Sequence, residues 1–202
     1  MWFRLLSRDG RGWTMRLGAV AAAALALALA GCSAAYVEDS QATVLLLVSS
    51  INEGKTVASD VRGDGGAITN CSVKGEVVVI LKNPTNPGSP VENVILQRYD
   101  VSYQRSDGRA VEGVDVPYRF SAAMTVTATR GDKTPVAIDL VRQQAKLEPP
   151  LSNITGLQIV EMTANVTFYG ETVSRANVSG TGSAAIRFAD FATGTPTCEA
   201  GS

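Results

Sequence analysis

The stretch VEMTANVTFYGE, Val160–Glu171, decides the fold class. Val160, Met162, Ala164, Val166 and Phe168 alternate with Glu161, Thr163, Asn165, Thr167 and Tyr169. Successive side chains of an extended chain point to opposite faces, so a period of two gives one apolar face for a core and one polar face for water. A helix would scatter the same five apolar residues around its circumference. Gly170-Glu171 supplies a turn signal at the end of the run.

Working outward, the same signature recurs. Tyr99, Val101 and Tyr103 alternate with Asp100, Ser102 and Gln104, and the Asp-Gly turn of Ser106-Asp107-Gly108-Arg109 follows. Phe120, Ala122, Met124, Val126 and Ala128 are expected to face a core, with Ser121, Thr125, Thr127 and Thr129 outward. Gly131-Asp132 reads as a hairpin into Val136, Ile138 and Leu140. Val44–Val48 and Glu76–Leu81 are continuous apolar runs, the first suited to a strand buried on both sides or covered by a lid. Between Asn83 and Pro90, three prolines exclude regular structure, and Pro149-Pro150 limits any helix over Arg142–Leu147 to a turn or two. The final strand ends at Ile186–Phe191 and leaves a flexible tail containing Cys198.

Seven to nine short strands with little room for helix predict an all-β chain, an antiparallel β-sandwich of immunoglobulin-like or Greek-key type, with a closed barrel as the alternative. An outer-membrane barrel is disfavoured because the segments vary in length and their polar faces carry charges that lipid would not tolerate.

The N-terminal segment obeys a different logic. The apolar run Leu17–Ala30 is shorter than the roughly 20 residues a spanning helix needs. Arg4, Arg8, Arg11 and Arg16 precede it and a small-residue site follows it, the layout of an export signal. Met15 is an alternative start that leaves the same mature chain. Leu29-Ala30-Gly31-Cys32 resembles the bacterial lipobox, an identity which implies cleavage after Gly31 and a diacylglyceryl anchor on Cys32. An ordinary secretory signal with an incidental cysteine is the plainer reading. The expected organisation is a signal peptide over 1–31, a lipidated N-terminus and tether over 32–41, and one sandwich domain over 42–202. Ser33 behind the cysteine implies, where the sorting rule for such lipoproteins applies, passage to the outer membrane, facing the periplasm or the cell surface.

Removing Arg4, Arg8, Arg11, Arg16 and Asp9 with the signal changes the formal net charge from −1 to −4. An acidic mature chain lacks the basic footprint that nucleic acid requires. The chain has no histidine, and its tryptophans, Trp2 and Trp13, both lie in the removed segment. Classical zinc sites and histidine-dependent nucleophile activation therefore lack a key group. With Cys32 acylated, Cys71 and Cys198 form an even pair suited to a disulfide in an oxidising compartment, the alternative being two free thiols.

Other motifs have ordinary explanations beside their functional ones. Arg62-Gly63-Asp64 and Arg130-Gly131-Asp132 match an adhesion triplet, yet Gly-Asp is also turn chemistry. Asp60 with Asp64, or Asp107 with Glu112 and Asp115, offers hard oxygen ligands but matches no calcium-loop spacing, so no metal is assigned. Asn70, Asn153, Asn165 and Asn177 fit a glycosylation sequon that has no meaning in most bacteria. No nucleophile elbow, Ser-x-x-Lys or phosphate loop is present. Neither a catalytic residue nor a cofactor is assigned.

The segment RYDVSYQRSDGRAVEGVDVPYRF, Arg98–Phe120, with RQQAKLEPPL and FADF, resembles a group of bacterial lipoproteins that carry an all-β domain. The resemblance implies location and fold and transfers no functional residue. Tyr103, Tyr118 and Arg119, beside Pro117, are the expected interaction surface because aromatic residues and arginine often dominate interfaces. Core packing is the competing role for both tyrosines. The expected function is a membrane-anchored, non-catalytic binding or assembly module for an envelope protein. The alternatives are a small-ligand carrier with an inter-sheet cavity and, behind it, a carboxylate- or metal-dependent enzyme.

Overall fold

The computed structural model describes residues 42–63, 66–83, 92–191 and 198–200. The signal segment, Cys32, the tether and Asp64 lie outside them. Among the described residues nine strands are formed: β1 Val44–Ile51, β2 Val57–Asp60, β3 Cys71–Leu81, β4 Val94–Arg105, β5 Phe120–Ala128, β6 Lys133–Val141, β7 Ile159–Thr172, β8 Asn177–Ala189 and β9 Cys198–Ala200. A short α-helix, α1, covers Gln143–Leu147. Among the described residues no helix is long and apolar enough to cross a membrane.

The strands make two sheets, ordered β1-β3-β6 and β5-β4-β7-β8-β2-β9. Neighbours are antiparallel except β2, which runs parallel to β8. The chain's edge strand thus divides: its first half, β1, pairs with β3, and its second half, β2, crosses to the other sheet. With the β3–β6 pair in one layer facing the β4–β7 pair in the other, this is the immunoglobulin-like sandwich. The disulfide differs from the immunoglobulin pattern, tying Cys71 at the start of β3 to Cys198 in β9.

Alternation explains the layers. In β7 the residues Val160, Met162, Ala164, Val166 and Phe168 are all buried, and in β4 so are Tyr99, Val101 and Tyr103. Phe168 and Phe188 are the largest side chains with no exposure, and they pack with Leu96, Ile138, Leu140 and Ile186 between the sheets. Tyr99 meets Phe120 edge-on at 6.4 Å.

Several expectations are corrected. β1 is buried on one side only: Val44 and Leu46 face inward while Leu45 and Leu47 are 41% and 44% exposed. Gly131 turns the chain as expected, at φ +82°, but it carries it from one sheet to the other, so β5 and β6 are not a hairpin. β7 runs through Gly170 and Glu171 to Thr172 and reverses only over Val173–Ala176. Gly170 sits opposite the bulge between Leu96 and Arg98, where a Cβ would come within 2.7 Å of the Ile95 carbonyl oxygen. The tail, expected to be flexible, forms at Cys198–Ala200 an edge strand antiparallel to β2.

The registers define two ends. The starts of β1, β4, β6 and β8 lie with the ends of β3, β5 and β7, and the chain enters here at Ala42. The opposite, far end carries the β4–β5 connection, α1, the β6–β7 connection and the disulfide.

Candidate interaction surface

The expected surface separates into one buried and two exposed residues. Tyr103 is a core residue: it is 5% exposed, and its hydroxyl donates to the Leu140 carbonyl at 2.6 Å. It shares the inward phase of Tyr99 and Val101, and burial raises its pKa. Tyr118 is 54% exposed, and Arg119 is exposed beside it. Both belong to the far end.

They sit on the connection between β4 and β5, which closes on itself. The Arg105 N–H donates to the Arg109 carbonyl at 2.9 Å, and the Gly108 N–H to that of Arg105 at 2.9 Å. Asp115 N–H donates to the Val111 carbonyl at 2.8 Å, and Gly113 N–H to that of Val116 at 2.8 Å. Gly113 adopts φ +74°, which favours glycine, and its missing Cβ leaves the space that the Tyr118 hydroxyl occupies. Arg119 Nε lies 2.6 Å from Glu112. Asp107 receives the side chain and backbone N–H of Arg109, which hold its carboxyl down to about 2. A connection so closed holds Val111, Val114 and Tyr118 toward solvent in a fixed arrangement.

The other far-end connections add apolar surface. Val111, Val114, Tyr118, Leu147, Leu157 and Ile159 are all more than half exposed. A groove of about 610 Å³ opens between Arg105, Asp107, Ile159, Glu161 and Arg187. Its charges are already engaged, Arg187 with Glu161 at 3.1 Å and Arg105 with Asp107 at 3.3 Å. Of the carboxylates weighed as cation ligands, Asp107, Glu112 and Asp115 are thus arginine partners, Asp115 through Arg109 at 3.4 Å. Of the adhesion triplets, Arg62 donates to the Ser152 carbonyl at 2.7 Å and Arg130 pairs with Glu92 at 3.4 Å.

Beneath these connections lie buried charges. Asp60 is fully buried at the end of β2; its Oδ1 accepts the Arg62 N–H at 3.1 Å and the Phe191 N–H at 3.3 Å, while Oδ2 has no hydrogen-bond partner among the described residues. Burial raises its pKa. Lys146 of α1 is 2% exposed, and burial pushes its ammonium down to about 8, partly countered by the Asp60 charge. Between pH 8 and the ordinary lysine value of 10.5 the unfolded chain holds a proton that the folded chain has released. Stability to unfolding is therefore expected to rise by about 2 kcal/mol from pH 8 to pH 10. Above about pH 10 unfolded tyrosines ionise while Tyr103 stays protonated, so stability falls again. Urea titrations of the wild type and Lys146→Met across this range test the assignment: the rise should vanish in the variant.

Val111, Val114 and Leu157 were not expected from the sequence as surface residues. For Val111 and Val114 the available signal was apolar residues inside the Gly-, Pro- and charge-rich connection RAVEGVDVPYR, where no strand alternation gives them a core face. No protein family, curated protein or solved structure matches this chain in the comparisons made.

Proposed function

We propose that the chain is a bacterial lipoprotein, anchored through Cys32, whose sandwich is a non-catalytic binding or assembly module. It holds an envelope protein at the end away from its anchor. The observation that carries this reading is that, among the described residues, six of the seven large apolar residues more than half exposed lie at the end opposite the point where the chain arrives from Cys32, Val173 being the seventh. The tether brings the near end to a membrane, and the self-closed β4–β5 connection is held outward on a rigid scaffold. A bridged Cys71–Cys198 pair suits the oxidising compartment that an export signal implies. Outer-membrane residence follows from Ser33 under the sorting rule.

Crosslinking in the native cell, with capture and mass spectrometry, tests the proposal. Wild type should enrich one envelope protein. Val114→Asp places a charge on an exposed apolar contact and should weaken capture about tenfold or more without moving the unfolding midpoint. Cys32→Ser should abolish acylation and membrane attachment. Capture indifferent to Val114→Asp, or an acylated N-terminus surviving in Cys32→Ser, counts against the reading.

A further inference from the structure

The near end carries its own apolar surface. Leu45 and Leu47 project from the outer face of β1, and their register partners Ile80 and Val78 project from β3 beside them. Leu45, Leu47 and Ile80 are each around two-fifths exposed, and Val78 is half-buried. Leu47 and Val78 also line a groove of about 540 Å³ that continues to Gly180 and Thr181 of β8. On the outer face of the other sheet Ile95 is exposed at the same level, and Val173 is exposed at the β7–β8 turn. Nothing in the folding of the sandwich requires five large apolar residues in water around one end.

We propose that this face, centred on Leu45, Leu47, Val78 and Ile80, rests on the lipid bilayer that holds the chain's own anchor. The inference rests on the Cys32 anchor proposed above. Two observations select lipid over a protein. The first is size: the exposed area of the four aliphatic residues is on the order of 300 Å², well below the roughly 800 Å² per partner of a stable protein interface. A freely diffusing partner would not stay bound to so little. The second is position. Leu45 and Leu47 lie on the first strand after the tether, and the twelve residues from Cys32 to Val44 span at most about 40 Å. Held at that distance, the face meets the bilayer at an effective concentration of order millimolar, so a weak apolar contact suffices.

The charges nearby fit an apolar contact. Glu76 pairs with Lys133 at 2.8 Å, Glu92 with Arg130 at 3.4 Å and Glu171 with Arg175 at 4.0 Å. Among the described residues Lys133, Arg130 and Arg175 are thus each paired with a carboxylate, so this face does not demand anionic lipid. Zwitterionic lipid should serve.

The mature chain contains no tryptophan, so one introduced residue is a single reporter. Lipidated Leu47→Trp and Leu157→Trp proteins, the second reporting from the far end, are reconstituted on phosphatidylcholine vesicles with and without brominated acyl chains, and flotation is scored in parallel. The expected result is flotation of both, with most of the Leu47→Trp emission shifted to the blue and quenched by bromine and the Leu157→Trp emission unchanged. Flotation with equal, weak quenching at both positions overturns the bilayer contact and leaves the anchor standing. A blue-shifted, unquenched Leu47→Trp protein that crosslinks as a dimer assigns the face to a second copy and overturns the proposal. Failure of both proteins to float overturns the anchor and this inference together.

Discussion

Replacing Cys198 with serine is expected to lower stability to unfolding by about 2–5 kcal/mol, with reductant producing the same loss in the wild type. Cys71 and Cys198 are bridged with their Cα atoms 5.0 Å apart, and they are separated by 127 positions in sequence. In the chain-entropy account, closing a loop of that size in the unfolded chain contributes about 4–5 kcal/mol, and measured values often fall lower. The local consequence is as specific. β9 pairs with β2 only over Cys198, Glu199 and Ala200, and β2 pairs with β8 over four residues. Without the bridge, β9 has little to hold it, and β2 becomes an edge that carries Ser59 and the buried Asp60. Faster hydrogen exchange should therefore appear first along Val57–Asp60, before the sandwich opens globally. Urea unfolding with and without reductant, for wild type, Cys198→Ser and the double variant with Cys71→Ser, measures the effect. Equal midpoints throughout, or free thiols in the untreated protein, would remove the bridge from the account.

How much of this was legible in the sequence follows from what each pattern encodes. Strict alternation encodes which face is buried, so β4, β5 and β7 were readable with their inward residues. The same rule already placed Tyr103 in the phase of Tyr99 and Val101, and its burial follows from that phase and not from its being aromatic. Alternation does not encode which sheet receives the next strand. Gly131 serves a hairpin and an inter-sheet crossing equally well, and the choice between them depends on long-range pairing of β6 with β3. Nor does an apolar run state how many of its faces are covered. Val44–Val48 has no polar residue to mark an outward side, and Leu45 and Leu47 are exposed because, among the described residues, nothing stacks on the outer face of the β1-β3-β6 sheet there. β2 was not read at all; four residues with two polar members carry too little pattern.

The candidate surface shows the same division. Tyr118 and Arg119 were named from residue type, which holds no information about exposure; their exposure comes from the closure of Arg105–Arg119 on itself, and from Gly113 making room for the Tyr118 hydroxyl. Glycines in β8 carry a comparable message about close approach.

Gly180→Val is expected to destabilise the domain by about 3 kcal/mol, the upper part of the range for overpacking. Gly180 lies in β8 between the inward residues Val178 and Gly182, on the face that meets β1. A Cβ at Gly180 would overlap the Leu46 carbonyl oxygen, and one at Gly182 would come within 2.5 Å of a Val48 methyl. The two sheets thus touch here through backbone, which is why β1 can pair with β3 and still close the sandwich against β8. A backbone oxygen cannot rotate aside as a side chain can, so β1 must lift as a strand. Lifting it would break the pairs from Val44↔Leu81 to Ile51↔Gly75 and uncover Val44 and Leu46. The control is Ser179→Val, one residue away on the outward face, where a β-branched side chain suits an exposed strand position and little change is expected. Urea midpoints of the two variants should separate widely, and hydrogen exchange in Gly180→Val should rise first in β1. β1 is also the strand that continues from the tether and bears Leu45 and Leu47, so its loosening would free the anchor from the domain's near end. A Gly180→Val protein as stable as Ser179→Val would mean that β1 does not seal against β8 through these glycines.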